Sequence, residues 1–297
     1  MVRSLAILIT LTVATPALAG SWGKPGADSW SKPHTQAKAS EVTVGKRLSV
    51  GDPVVVGDLA LYPVIDRDAT LRPELEAIPL ADAMASGLME VREVHNGVVS
   101  QVSMINHGED PVLVMAGDVI QGGMQDRVVI ESQLVASSAP VQIPVHCVER
   151  GRWHTTRGDH FAYGGRVDLM LRQVVQRAAS QEATWAAVAR ANVARGLPGS
   201  ASWLQGAGVS MEQVAQLEGA LRRRFEDDKR VVGVVVARNG RFEGRDVYGH
   251  PALFAQDRLN VLRSHLAGGQ PRDQAIVASA AIPTAHDAAA FLEGSLF

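Results

Sequence analysis

The chain has 297 residues, 46% apolar and 20% charged, with a formal net charge of −2. That balance belongs to a folded globular protein and leaves no broad basic footprint for nucleic acid; with aromatics at 5%, stacking platforms for single strands are excluded as well. The one cysteine, Cys147, has no intramolecular partner for a disulfide.

Residues 1–19 read as a secretory signal peptide. Arg3 supplies the positive start, Leu5 to Val13 the apolar stretch, and Ala17-Leu18-Ala19 a small-residue cleavage site. The apolar stretch is too short to span a bilayer, and no later segment reaches spanning length. The expectation is an exported protein, periplasmic or secreted, with no membrane span. Residues 20–40 carry Trp22, Pro25, Trp30 and Pro33 without apolar periodicity and read as a flexible leader. One α+β domain is expected over 41–297, β-rich over 41–160 and helical with a hairpin over 161–297.

From Val42 the pattern is of short strands. Val54–Val56 and Leu59–Val64 are broken by Gly57-Asp58; Leu80 to Ser86 makes a short helix stopped by Gly87; Met89 to Val94 resumes strand character. His95-Asn96-Gly97 is a hairpin turn. Val98–Ile105, Val112–Met115, Arg127–Leu134 and Val141–Val148 continue the series. Many short strands before any long helix suggest a sandwich or barrel-like part. Helical periodicity begins near Arg166, with Val167, Met170, Leu171, Val174 and Val175 on one face. Ser180 caps a second segment with Trp185, Val188 and Ala189 on its apolar side. Ser210 and Gln213 form a capping box ahead of Val214, Leu217, Leu221 and Phe225. Arg222 to Arg224 read as a solvated face. Val231–Ala237 is a fully apolar strand that turns at Asn239-Gly240. Helices over Ala252–Leu266 and Thr284–Leu292 close the chain.

The polar residues that could carry chemistry concentrate in residues 117–154. In an extended strand, Val141, Ile143, Val145 and Cys147 share one face, so the thiol lies on an apolar stripe and reads as buried. Glu149 continues that face at the strand end. A charge there must find a cation or a cavity, and Arg127 and Arg152 are the candidate partners. Gly122-Gly123 permits positive φ and a close backbone approach. Gln125 and Arg127 then alternate onto one face, and an amide beside a forked guanidinium suits a phosphate, a carboxylate or a diol. Trp153 is either core or a stacking wall. His146, His154 and His160 with Asp159 and Glu149 match no zinc spacing, so no metal site is expected. No phosphate-loop lysine follows the glycines, no dinucleotide glycine spacing occurs and no serine-hydrolase elbow is present, so no cofactor is expected.

Several of these pieces resemble a known bacterial family. They are Gly117-Asp118 (the family more often has Glu second), Gly122-Gly123-x-Gln125-x-Arg127, Val145-x-Cys147-Val148-Glu149 and Arg152-Trp153, followed by Gln181 to Trp185 and the strand and turn over 233–240. The chain resembles, over roughly residues 45–270, the domain named for its association with ADP-ribosylglycohydrolase and rhodanese-phosphatase superfamily proteins. The resemblance implies a β-rich domain associated with nucleotide or ADP-ribose metabolism, and no catalytic mechanism comes with it.

Three functions are compatible with the residues. The favoured one is an exported binding or accessory protein that holds a small polar, anionic ligand through Gly122, Gly123, Gln125, Arg127, Arg152 and Trp153. The second is a hydrolase of a nucleotide-, ADP-ribose- or glycan-like substrate with Glu149 or Asp118 as acid/base. The third is an envelope interaction protein with a protein partner, the 117–154 segment being structural.

Overall fold

The computed structural model describes residues 41–69, 75–94, 98–152, 160–177, 180–206, 208, 211–225, 229–267 and 281–294, with only the backbone at 211 and 223–225. The expected signal peptide and leader, the turn at residues 95–97, Trp153, His154, Asp159 and Ser210 lie outside them.

The strands are β1 (Glu41–Val44), β2 (Leu48–Gly51), β3 (Val54–Val56), β4 (Leu59–Asp66), β5 (Ile78–Pro79), β6 (Met89–Glu93), β7 (Gln101–Asn106), β8 (Val112–Val114), β9 (Asp118–Gly122), β10 (Arg127–Val129), β11 (Gln133–Val135), β12 (Val141–Cys147), β13 (Phe161–Arg166), β14 (Val231–Arg238) and β15 (Arg241–Val247). The helices are α1 (Leu80–Ala85), α2 (Leu169–Gln176), α3 (Gln181–Ala194), α4 (Met211–Phe225), α5 (Pro251–Ala267) and α6 (Ala285–Gly294). The fold is α+β, with a β-rich N-terminal part and helices around a hairpin in the C-terminal part.

The first sheet runs β1-β2-β4-β14-β15, with β3 also on β4. Both of its faces are covered, which explains the unbroken apolar runs of β4 and β14. Leu59, Leu61, Val234 and Val236 pack against Leu217 and Leu221 of α4 and Leu253, Phe254, Val261 and Leu262 of α5. Ala60, Tyr62, Val64, Val235 and Ala237 face the opposite way, against Ala288, Ala289 and Leu292 of α6. This sheet joins the first described strands to the last hairpin.

The second sheet, β13-β9-β10-β12-β7-β6, curves into a half-barrel. Its concave face carries Val91, Val102, Met104, Ile120, Val129, Ile143 and Val145, closed over by Leu80 and Ala83 of α1 and by Val112, Val114 and Val135 of the small sheet β11-β8-β5. Its convex face packs Val119, Val128 and Val148 against α2, α3 and Trp203.

Several expectations need correction. The run Arg127–Leu134 is two strands in two sheets, because the chain leaves the half-barrel after Val129 and pairs again only at Gln133 with β8. The β-rich part continues beyond residue 160 into β13, where Gly164-Gly165 hides the alternation; it pairs with β9 through an irregular register between Tyr163 and Arg166. In α3 the buried side is Thr184, Ala187, Val188 and Asn192, while Trp185 is half-buried and Ala189 exposed. Asn192 is accommodated inside because its amide donates to the carbonyls of Ser200 and Ser202. Residues 98–100 precede β7 outside any strand, and Met170, expected on the apolar face, is exposed; the other expected strands, the Asn239-Gly240 turn and the Ser180 cap (accepting from the Ala183 amide at 3.2 Å) are in place.

Candidate functional site

The half-barrel interior is apolar until its last layer. On β6, β10 and β12 the inward-facing positions run Met89-Val91-Glu93, then Val129-Arg127, then Ile143-Val145-Cys147, so that charge and a thiol take over at one end. Arg127 lies directly across from Cys147 on one side and Ile120 on the other. Its guanidinium is fully buried. Nη2 donates to both oxygens of Glu93, at 3.4 and 3.3 Å, and Nη1 donates to the Gln125 carbonyl.

Above this floor the 122–126 turn folds over. Gly122 and Gly123 both have positive φ, +122° and +57°. A Cβ at Gly122 would strike the His160 carbonyl, and one at Gly123 would strike Glu93 Oε1 and the Phe161 ring, so the turn needs glycine for space as well as for φ. Met124 N–H donates to Glu93 Oε1 at 2.9 Å, tying the turn to β6. Gln125 is buried. Arg152 reaches over from the segment after β12: Nε donates to Glu149 Oε2 at 2.7 Å, Nη1 to the Gly123 carbonyl at 2.8 Å, and Nη2 to Asp126 Oδ1 at 3.2 Å. Glu149 Oε2 also accepts from Asp126 N–H at 3.4 Å. Among the described residues the layer therefore holds three carboxylates and two guanidiniums. The guanidiniums lie inward, at 0% (Arg127) and 11% (Arg152) side-chain exposure, and Glu93 and Glu149 reach further out, at 18% and 19%.

Burial pushes the Asp126 carboxyl above its ordinary range. The Gly122 N–H that it accepts at 3.0 Å and the Arg152 charge oppose the shift, and Glu149 adds to it. Burial also pushes the Cys147 thiol up to about 11, aided by Glu93 and Glu149 and resisted by Arg127. A thiol so held is a poor nucleophile at neutral pH. The Cys147 backbone is clamped from α3, since Gln181 accepts from its N–H and donates to its carbonyl, both at 2.8 Å.

Of the residues singled out from sequence, Gly122, Gly123, Gln125, Arg127, Glu149 and Arg152 come together here. Arg152, not Arg127, is the partner of Glu149. Asp118 lies at the other end of β9, away from the cluster. It accepts from Met115 N–H, Tyr163 Oη and Arg166 Nε at 2.8, 2.9 and 2.9 Å, with Arg166 bonded in turn to Asp257. Burial raises its carboxyl against the pull of Arg166, and its partners occupy it as a structural anchor. Sequence reasoning missed Glu93 and Asp126. Glu93 carried a usable signal: it ends the Met89-x-Val91 stripe as Glu149 ends the Val145-x-Cys147 stripe. Asp126 stands between Gln125 and Arg127 and breaks no pattern.

The ARG and Rhodanese-Phosphatase-superfamily-associated Protein domain, ARPP-1, matches residues 47–295. The chain belongs to the ARPP-1 family. The match extends past the hairpin to α6, so the helix that covers the outer face of the first sheet is part of the ARPP-1 domain and not an appendage. No curated protein and no solved structure matches the chain.

Proposed function

We infer that this ARPP-1 protein is an exported binding or accessory protein that holds a small polar ligand at the open end of the half-barrel. The observation that carries the reading is the convergence of Glu93, Asp126, Arg127, Glu149 and Arg152, from β6, the 122–126 turn, β10 and the segment after β12, onto one partly open layer above an apolar core. A fold gains little stability from so many partly desolvated charges. Fixed by glycine turns and backbone bonds, they are pre-organised for recognition instead. An anion, the class that the residue types alone favoured, must compete with Glu93 for Arg127 and with Glu149 and Asp126 for Arg152. Export rests on the Arg3, Leu5–Val13 and Ala17–Ala19 pattern. A thermal-shift screen of a metabolite library against the wild type and Arg152→Ala tests the binding reading. The expected result is at least one compound that raises the melting temperature of the wild type only; a library without any stabilising compound overturns it.

A second reading is favoured by one observation, the adjacency of the Asp126 and Glu149 carboxyl groups, which share Arg152 as partner. Two neighbouring carboxyl groups in unlike surroundings are the pairing that hydrolysis by general acid/base catalysis uses. This reading expects Asp126→Asn and Glu149→Gln each to abolish turnover of a phosphodiester, ADP-ribosyl or glycosidic substrate without lowering the melting temperature. Absence of turnover across those classes by the wild type counts against it.

A further inference from the structure

Hydrogen bonds left open in the charged layer restrict what it can hold. Glu149 meets Arg152 and the Asp126 amide through Oε2, and among the described residues no hydrogen bond reaches its Oε1. Arg127, fully buried, has an Nε–H without a partner among the described residues. One open acceptor thus stands at the rim and one open donor at the floor. A buried donor left unmatched is costly, and such groups are matched by water or by ligand.

The sign of the charges narrows the ligand further. Arg152 lies within 3.2 Å of both Asp126 and Glu149, and Arg127 within 3.3 Å of Glu93. An incoming anion that approaches either guanidinium therefore meets carboxylates at nearly the same range, and an incoming cation at the carboxylates meets guanidiniums. Neither gains much, and each loses its hydration. A carboxylate or a fully ionised phosphoryl group can only accept, so it offers Glu149 Oε1 no donor; a simple ammonium can only donate, so it offers Arg127 Nε no acceptor. A hydroxyl both donates and accepts, without charge. Several hydroxyls on one rigid ring can answer the rim acceptor and, directly or through a water, the floor donor.

Resting on the binding reading above, we propose that the ligand of this site is a neutral polyhydroxylated ring, a free sugar or the sugar moiety of a larger molecule, gripped by Glu149 Oε1 at the rim. The Phe161 ring, which packs beneath Gly123, supplies apolar surface beside it.

Calorimetric titration of the purified protein with three sets of probes tests this: D-ribose, D-glucose and D-xylose; sulfate and acetate; methylammonium and spermidine. The expected result is that at least one sugar binds, with a dissociation constant that does not change between low and high salt, because a neutral ligand has no ionic attraction to screen. Glu149→Ala should weaken that sugar by about tenfold, the value of a hydrogen bond to a charged group. Glu149→Gln keeps an acceptor oxygen and should weaken it less than Glu149→Ala does, which separates loss of the bond from damage to the fold. Salt-sensitive binding of sulfate or acetate, without sugar binding, overturns the polyol assignment and leaves the binding reading standing. Binding by the amines alone does the same. Failure of all three sets, together with an empty metabolite screen, overturns both.

Discussion

At the scale of single residues, the candidate site is decided by which atoms are already engaged. Cys147 is the clearest case. Its place on the Val141–Val145 face and its thiol, held up near 11, make it part of the floor and not a reagent. Labelling of the native protein by a thiol reagent at pH 8 should be slow, and become fast only in denaturant. Asp126 gives a pH prediction. Its folded-state carboxyl is raised above the unfolded value, so protonation favours the fold: that contribution is present below the ordinary carboxylate range and is lost as pH rises through the folded-state value. Asp126→Asn keeps an oxygen for the Gly122 N–H and carries no charge. It should therefore melt higher than the wild type at neutral pH, with the gap closing toward pH 4 (an ordinary carboxylate value); a constant gap across that range refutes the assignment. Gly122→Ala places a Cβ against the His160 carbonyl at a φ of +122° and should cost several kcal/mol, read as a lowered denaturant midpoint.

At the scale of elements, α3 steadies the site from behind. Ser180 caps it, Gln181 mimics a neighbouring strand for the Cys147 backbone, and Thr184 bonds His146 at 2.9 Å. Three successive contacts therefore fix the end of β12, from which Glu149 and Arg152 depart. Gln181→Ala strips partners from two backbone groups and should cost about 1–2 kcal/mol; it should also speed thiol labelling of Cys147, which a defect confined to α3 would not do. Elements with a clean period were legible in the chain: the apolar β14, the hairpin turn, and the long amphipathic α4. Strand β13 was not, because its two glycines carry no side chain to alternate. Nor was the change of sheet between β10 and β11, since continuous strand-forming residues do not say which neighbour each will pair with.

At the scale of the whole molecule, buried ion pairs join the half-barrel to the rest. Arg166 of β13 bridges Asp118 of β9 and Asp257 of α5, with Tyr248 and Asn260 completing the bonds to Asp257; beside it Arg172 of α2 pairs with Asp246 of β15, which also bonds His265 of α5. All of these groups are buried. Arg166→Met leaves two buried carboxylates without their cation and should cost about 3–5 kcal/mol. Adding Asp118→Asn and Asp257→Asn should return most of that stability, as measured by denaturant unfolding. This network also predicts that far-ultraviolet dichroism and tryptophan fluorescence follow one coincident transition, because neither large sheet can leave without exposing the buried charges of the helices α2 and α5 that its strands pair with.

The sequence by itself determined the class of the fold, the family, the burial of Cys147 and most of the residues that meet at the charged layer. The family rests on the resemblance of its glycine–Gln–Arg and Cys-Val-Glu motifs, and the rest on local periodicity, glycine geometry and alternation along single strands, all of which act within a few residues. Only the tertiary structure decided the partners: Arg152 for Glu149, Glu93 for Arg127, and Asp118 turned from a candidate acid into an anchor. Partnership depends on which strands lie side by side, and that is set by long-range packing of three sheets and six α-helices among the described residues, which a one-dimensional pattern does not encode.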